Sequence, residues 1–149
     1  MRVSDDLRND ATEATRRAHA DTAGRLPPDD GADFALARRG FLGSIPDAEV
    51  PGAWSQAPFA FLDGERPDTV NPSLWRQARL NALHGLFEVT PGVYQVRGFD
   101  ISNVTFIEGR EGWIVIDPLT SAQPAAAALD LLRRQVRDRP GTAVIYTHS

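Results

Sequence analysis

Apolar and polar positions along this chain follow two different periods. In the first half, apolar residues recur at helical spacing in short bursts separated by breakers. Leu7, Ala11, Ala14 and Ala18 share one face of a predicted helix that Ser4, Asp5 and Asp6 would start, with Arg16 and Arg17 toward its other end. That stripe is thin and mostly alanine, so the helix must dock to persist. Pro27-Pro28-Asp29-Asp30-Gly31 reads as a turn. Asp33 to Arg39 predicts a short helix that presents Phe34, Ala37 and Phe41 and stops at Gly40. Five prolines fall between 46 and 72, yet Trp54, Phe59, Phe61 and Leu62 are too apolar for a free linker. This stretch is expected to be an extended arm pinned by aromatic anchors. Asn71-Pro72 then opens a helix to about Leu83, with Trp75, Ala78, Ala82 and Leu86 on one side.

From Phe87 the period changes to that of strands. Phe87-Glu-Val stops at Thr90-Pro91-Gly92, and Val93 to Arg97 alternates. Asn103–Glu108 and Trp113–Asp117 predict two more strands, paired antiparallel across Gly109-Arg-Glu-Gly112. The run Trp113-Ile-Val-Ile is apolar enough for a strand covered on both faces. Thr120 or Ser121 caps a helix reaching about Asp138, whose apolar face is Ala125, Ala128, Leu129, Leu132 and Val136. After Pro140-Gly141 the chain returns to the sheet, and Val144 to Tyr146 reads as a buried strand. Fold class is thus α/β (α+β), with a helical and extended arm over 1–86 and a sheet-bearing part over 87–149.

Composition narrows the classes. The chain has 149 residues, 42% hydrophobic and 24% charged, as an ordinary globular domain has. Net charge is −4, so no broad basic field awaits nucleic acid. All 16 cations are arginine, spread along the chain and interleaved with acids. Without cysteine there are no disulfides, thiolate nucleophiles or thiolate zinc sites, and histidines and carboxylates remain as ligands. No apolar run approaches the roughly 20 residues of a membrane span. Met1-Arg-Val-Ser-Asp-Asp leads into polar residues rather than a secretory signal, so a cytoplasmic location is expected.

Candidate chemistry gathers where strands end. His148 follows the strand in Thr142-Ala-Val-Ile-Tyr-Thr-His-Ser149, and open α/β sheets bind their ligands beyond the carboxyl ends of strands. Asp117 ends the preceding strand. Asp100, Ser102 and Asn103 occupy a loop that either borders a cleft or serves turn chemistry. His84, before Gly85, is read as a helix-end or packing residue with a ligand role as the alternative, and His19 as a solvated residue.

Thr147-His148-Ser149 resembles the first half of the Thr-His-Ser-His-x-Asp-His zinc motif of the metallo-β-lactamase superfamily. Longer stretches are more specific: Val70-Asn-Pro-Ser-Leu-Trp-Arg-Gln-Ala-Arg-Leu-Asn81, His84-Gly-Leu-Phe-Glu-Val89, Tyr94-Gln-Val-Arg-Gly-Phe-Asp100 and Ile114-Val-Ile-Asp-Pro-Leu-Thr-Ser121. Together they are similar to the zinc-dependent alkylsulfatases (SDS hydrolases) of that superfamily, from roughly residue 11 onward.

The resemblance implies the amino-terminal half of an αββα sandwich, 87–149 being its first part. It also implies hydrolysis of alkyl sulfates to alcohol and sulfate at two zinc ions, and a homodimer in the full-length family. Of this chain's residues only His148 falls on a family metal ligand. Asp117 matches an acid that organises the nearby loop. The other ligands, the sulfate-binding residues and the later domains are expected past Ser149. Standing alone, the chain is therefore expected neither to hydrolyse alkyl sulfates nor to hold zinc stoichiometrically, and its half-sheet should leave an apolar edge and one face bare. The alternatives are a hydrolase of the same fold acting on another ester, thioester or lactam, a non-catalytic module completed by a separately encoded partner, and an inert fragment.

Overall fold

The structure, a computed structural model, describes residues 10–25 and 31–148. The helix start expected at Ser4 and the prolines at 27 and 28 lie outside those residues. Helix α1 (Glu13–Arg25) begins at Thr12, whose Oγ1 accepts the Thr15 amide at 3.2 Å. Ala11 is buried ahead of the helix rather than on its face. Helix α2 (Ala32–Arg38) is followed by Gly40, which takes φ 73° and lets its backbone meet the Glu88 backbone. Phe41, expected on the α2 face, instead begins strand β1 (Phe41–Gly43).

The proline-rich arm is ordered as short 3-10 pieces. Two 3-10 turns, Pro46–Ala48 and Ala57–Asp63, flank a bridge between Val50 and Trp54. Its deepest anchors are aliphatic: Ala48, Val50 and Leu62 are buried, and Trp54 packs against the core. Phe59 and Phe61 stay exposed, although the Phe61 ring lies 6.0 Å from that of Trp75. Helix α3 (Pro72–Asn81) starts as its sequence predicts, with Asn71 Oδ1 accepting the Ser73 amide at 3.0 Å. Trp75 is its buried residue, whereas Leu86 belongs to the next strand.

Strands β2 (Gly85–Thr90), β3 (Val93–Arg97), β4 (Val104–Glu108), β5 (Trp113–Ile116) and β6 (Gly141–Ile145) follow β1 in one six-stranded sheet. The strands lie side by side in chain order. The pairings are antiparallel as far as β5, and β6 runs parallel to β5. Helix α4 (Ala122–Gln135) makes the crossover between those two.

Strand alternation sets the core. Tyr94 and Val96 of β3, Val104 and Phe106 of β4 and Trp113 of β5 point toward Ala128, Leu131 and Leu132 of α4. Tyr94 and Trp113 meet edge to face at 5.7 Å. On the opposite face Gln95 donates to Thr105 Oγ1 at 3.2 Å, and the Arg97 guanidinium lies 4.4 Å over the Phe87 ring.

Two expectations are corrected here. Strand β5 is not covered equally on both faces: Trp113 is fully buried and Val115 packs against the core on the α4 side, whereas Ile114 and Ile116 on the other face are only half-buried. The last strand is not buried at all. Every residue of β6 is exposed, Val144 at 54% and Ile145 at 47%, and Tyr146 beyond it stands at 71%. It hydrogen-bonds to β5 on one side, and no described element packs over it. The bare edge expected of this sheet is present at β6, whereas the face away from α4 is half-buried along β3, β4 and β5 and buries Phe87 of β2.

Candidate functional site at the carboxyl ends of β5 and β6

Register brings the site together. In the parallel pair Ile116 stands opposite Ile145, so the chain leaves both strands at the same end of the sheet. The Asp117 amide extends the ladder by donating to the Ile145 carbonyl at 2.9 Å. Asp117 then turns sharply, with φ 50°, and Leu119 follows at φ 67°. Left-handed backbone at two non-glycine residues so close together requires support from outside the loop.

That support comes from two carboxylate clamps. Asp117 Oδ1 accepts the Thr147 amide at 2.8 Å, and its Oδ2 accepts the Thr147 hydroxyl at 2.5 Å. Asp100, on the β3–β4 loop, accepts the Thr120 amide at 2.7 Å and the Thr120 hydroxyl at 2.6 Å. It also accepts the Ile101 amide at 2.6 Å. Three loops at one end of the sheet are thereby tied to one another.

The hydrogen bond from the Thr147 hydroxyl, followed by that from the Thr147 amide, holds the Asp117 carboxyl below its ordinary value. Burial pushes Asp100 upward, but the bonds from Thr120 and Ile101 outweigh it and leave that carboxyl low too. Both groups are therefore anionic acceptors at neutral pH.

His148 sits one residue past the clamp. Its Nδ1 lies 2.9 Å from Thr147 Oγ1 and 3.9 Å from Asp117 Oδ1, and its side chain is 74% exposed. The expected metal residue is thus held on one edge of its ring and open on the other. Asp117 behaves as the loop organiser its sequence position suggested, with both oxygens committed to Thr147. Ser149 lies outside the described residues.

A catalytic zinc takes three protein ligands and a structural one takes four. Among the described residues no three histidine or carboxylate side chains converge. His148 is suited to be one corner of such a site, but the residues present do not make the site by themselves.

The other two histidines stand apart from this end of β6. His84 lies past the end of α3 and shares a 2.6 Å hydrogen bond with Ser44 Oγ, so it packs against the β1 connection rather than capping the helix. Burial lowers its pKa against the opposing pull of Asp47. His19 is not simply solvated: its Nδ1 lies 2.9 Å from the Asp68 carbonyl and ties α1 to the arm.

Sequence reasoning missed the two threonines. Their signal was present, since Thr147 and Thr120 each follow a strand or turn where a carboxylate from another loop needs a donor. Of the loop residues proposed to border a cleft, Asp100 and Asn103 line a cavity of about 660 Å³, with Ile101 beside them in place of Ser102. Trp54, Leu83 and Arg97 also line it. Asp100 simultaneously serves the turn.

Known proteins resemble this chain at both levels. Residues 97–149 match the family model of the metallo-beta-lactamase superfamily. A linear primary-alkylsulfatase from a Pseudomonas species is 46% identical over 146 residues, covering 93% of this chain and 22% of the relative. The alkyl/aryl-sulfatase BDS1 of Saccharomyces cerevisiae is 46% identical over 142 residues, covering 91% and 22%. Among solved structures, the stereoselective inverting sec-alkylsulfatase Pisa1 from Pseudomonas superposes with a TM-score of 0.84 at 42% identity. That match covers 94% of this chain and 23% of Pisa1. The chain spans less than a quarter of the length of the relatives it matches.

Proposed function

Because this chain is related in sequence and in fold to the alkylsulfatases of the metallo-β-lactamase superfamily, we propose that it is the amino-terminal part of an alkyl sulfate ester hydrolase. In this reading the whole enzyme releases an alcohol and inorganic sulfate, and His148 is one zinc ligand. The observation that carries the reading is the clamp of Asp117 on Thr147, which holds an imidazole at the shared carboxyl end of two parallel strands. A buried structural histidine would not leave one ring edge open to solvent.

The division into an arm over 1–86 and the first part of a metallo-β-lactamase-like domain over 87–149 belongs to the same proposal. Strand β1 of the arm pairs with β2, so the arm is built into the sheet rather than tethered to it. The remaining ligands, the sulfate-binding groups and the contacts of a homodimer are assigned to residues outside this sequence. The chain alone then lacks the ligands for alkyl sulfate hydrolysis. No helix among the described residues is long and apolar enough to cross a membrane, and a cytoplasmic location is part of the proposal.

A chimera tests it. This chain replaces the matching portion of the Pseudomonas linear primary-alkylsulfatase, and sulfate release from dodecyl sulfate is measured with zinc supplied. The expected result is hydrolysis by the chimera and its loss in His148→Ala. A chimera that folds, as judged by a cooperative thermal melt, yet works equally well without His148 would overturn the ligand assignment. One that folds, holds zinc and leaves alkyl sulfates intact would overturn the substrate class.

A further inference from the structure

Hydrogen-bond bookkeeping around Thr147 settles more than where His148 lies. A carboxylate only accepts, and a threonine hydroxyl has one proton to give. Asp117 Oδ2 takes that proton at 2.5 Å, so Thr147 Oγ1 keeps only lone pairs for its other neighbour. That neighbour is His148 Nδ1, at 2.9 Å. Two acceptors cannot face each other at that distance, and Nδ1 must therefore carry a hydrogen. We propose that Asp117, acting through the Thr147 hydroxyl, fixes neutral His148 as the Nδ1–H tautomer, leaving Nε2 bare on the open edge of the ring.

The relay has a directional logic. The Asp117 carboxylate is at once the loop clamp and the origin of the hydrogen-bond polarity. Oδ1 is occupied by the Thr147 amide, which orients the carboxyl group and aims Oδ2 at the hydroxyl. An imidazole released from this chain of bonds would favour whichever tautomer solvent prefers. Held in it, the ring presents a lone pair before any ligand arrives, so no proton has to move between its nitrogens on binding. Asp117 and Thr147 are positioning residues, because they act only through His148. The tautomer itself follows from this chain's geometry, whereas its use for metal rests on the proposed function.

Nitrogen-15 chemical shifts of the imidazole rings test this in the metal-free chain, at a pH well above the ordinary imidazole value. Protonated and bare ring nitrogens separate widely, and the chain has three histidines to assign. The parent and Thr147→Ser are expected to show His148 chiefly as Nδ1–H, and Thr147→Val to lose that bias.

Asp117→Asn gives a sharper outcome. Its carbonyl oxygen must stay on the Thr147 amide, which turns the NH2 group toward the hydroxyl. Thr147 then accepts from Asn and donates to Nδ1, and His148 shifts toward the Nε2–H form. A loss of support for the loop would not by itself invert the tautomer.

Predominantly Nε2–H His148 in the parent, or unchanged shifts in both Thr147→Val and Asp117→Asn, would overturn the relay. His19, held on α1 by the Asp68 carbonyl, serves as the internal reference in every variant. These shifts are read without metal or substrate, so an inactive chimera leaves the relay standing, and a failed relay leaves the chimera result standing.

Discussion

His84 and His148 each meet a hydroxyl through Nδ1, at 2.6 Å and 2.9 Å, but in opposite surroundings. His84 is half-buried under the β1 connection, and burial holds its pKa below the ordinary value of about 6.5 despite Asp47. An unfolded chain takes up that proton first. The stability His84 contributes is therefore complete above about pH 6.5 and is lost as pH falls from there toward the folded value. Urea midpoints across that interval should drop more steeply for the parent than for His84→Gln, and Ser44→Ala should cost about 1 kcal/mol at neutral pH. Equal slopes in parent and variant would contradict this account of His84. Asp100 and Asp117 have the same sign of linkage, at lower pH. Their lowered pKa values keep both clamps intact through mild acid, and the clamps weaken only as pH falls below the ordinary carboxylate range.

The elements that form are those whose local chemistry and burial agree. Helix α3 carries its own start signal in Asn71-Pro72, and the β3–β4–β5 meander carries alternation plus a short turn, so their positions were legible. Strand β1 was not. Its three residues, Phe41–Gly43, carry no period of their own and exist because β2 offers an edge. The arm was legible as pinned, and Leu62 and Trp54 of the expected residues do turn inward, but Phe59 and Phe61 stay exposed while Ala48 and Val50, which gave no aromatic signal, are buried.

Glycines with positive φ fix several of these junctions. At Gly98, with φ 73°, an added Cβ would stand 2.5 Å from His84 Cβ. Gly98→Ala should therefore destabilise the chain by about 1–3 kcal/mol, through backbone strain and displacement of His84 from Ser44. A chemical melt reads the size. A variant as stable as the parent would show that the β3–β4 loop yields more easily than its contacts indicate.

For the molecule as a whole, periodicity disclosed the α/β class and the strand–helix–strand unit, and the stretches between 70 and 121 carried the resemblance to the alkylsulfatases that this chain matches. What periodicity misjudged was coverage. An apolar strand reads the same whether its second face meets a neighbour or lies bare, and β6 lies bare, with Val144 and Ile145 exposed and Tyr146 exposed just beyond it. The site was legible as a histidine after a strand, while the polarity that Asp117 and Thr147 impose on it needed the register of β5 against β6. The account rests on one claim, that this chain presents a single oriented imidazole rather than a finished metal site. Metal analysis tests it directly: the purified chain and His148→Ala are each equilibrated with zinc, desalted and assayed for metal per chain. The account predicts no retained zinc above the His148→Ala level. One tightly held zinc per chain, lost on replacing His148, would contradict it.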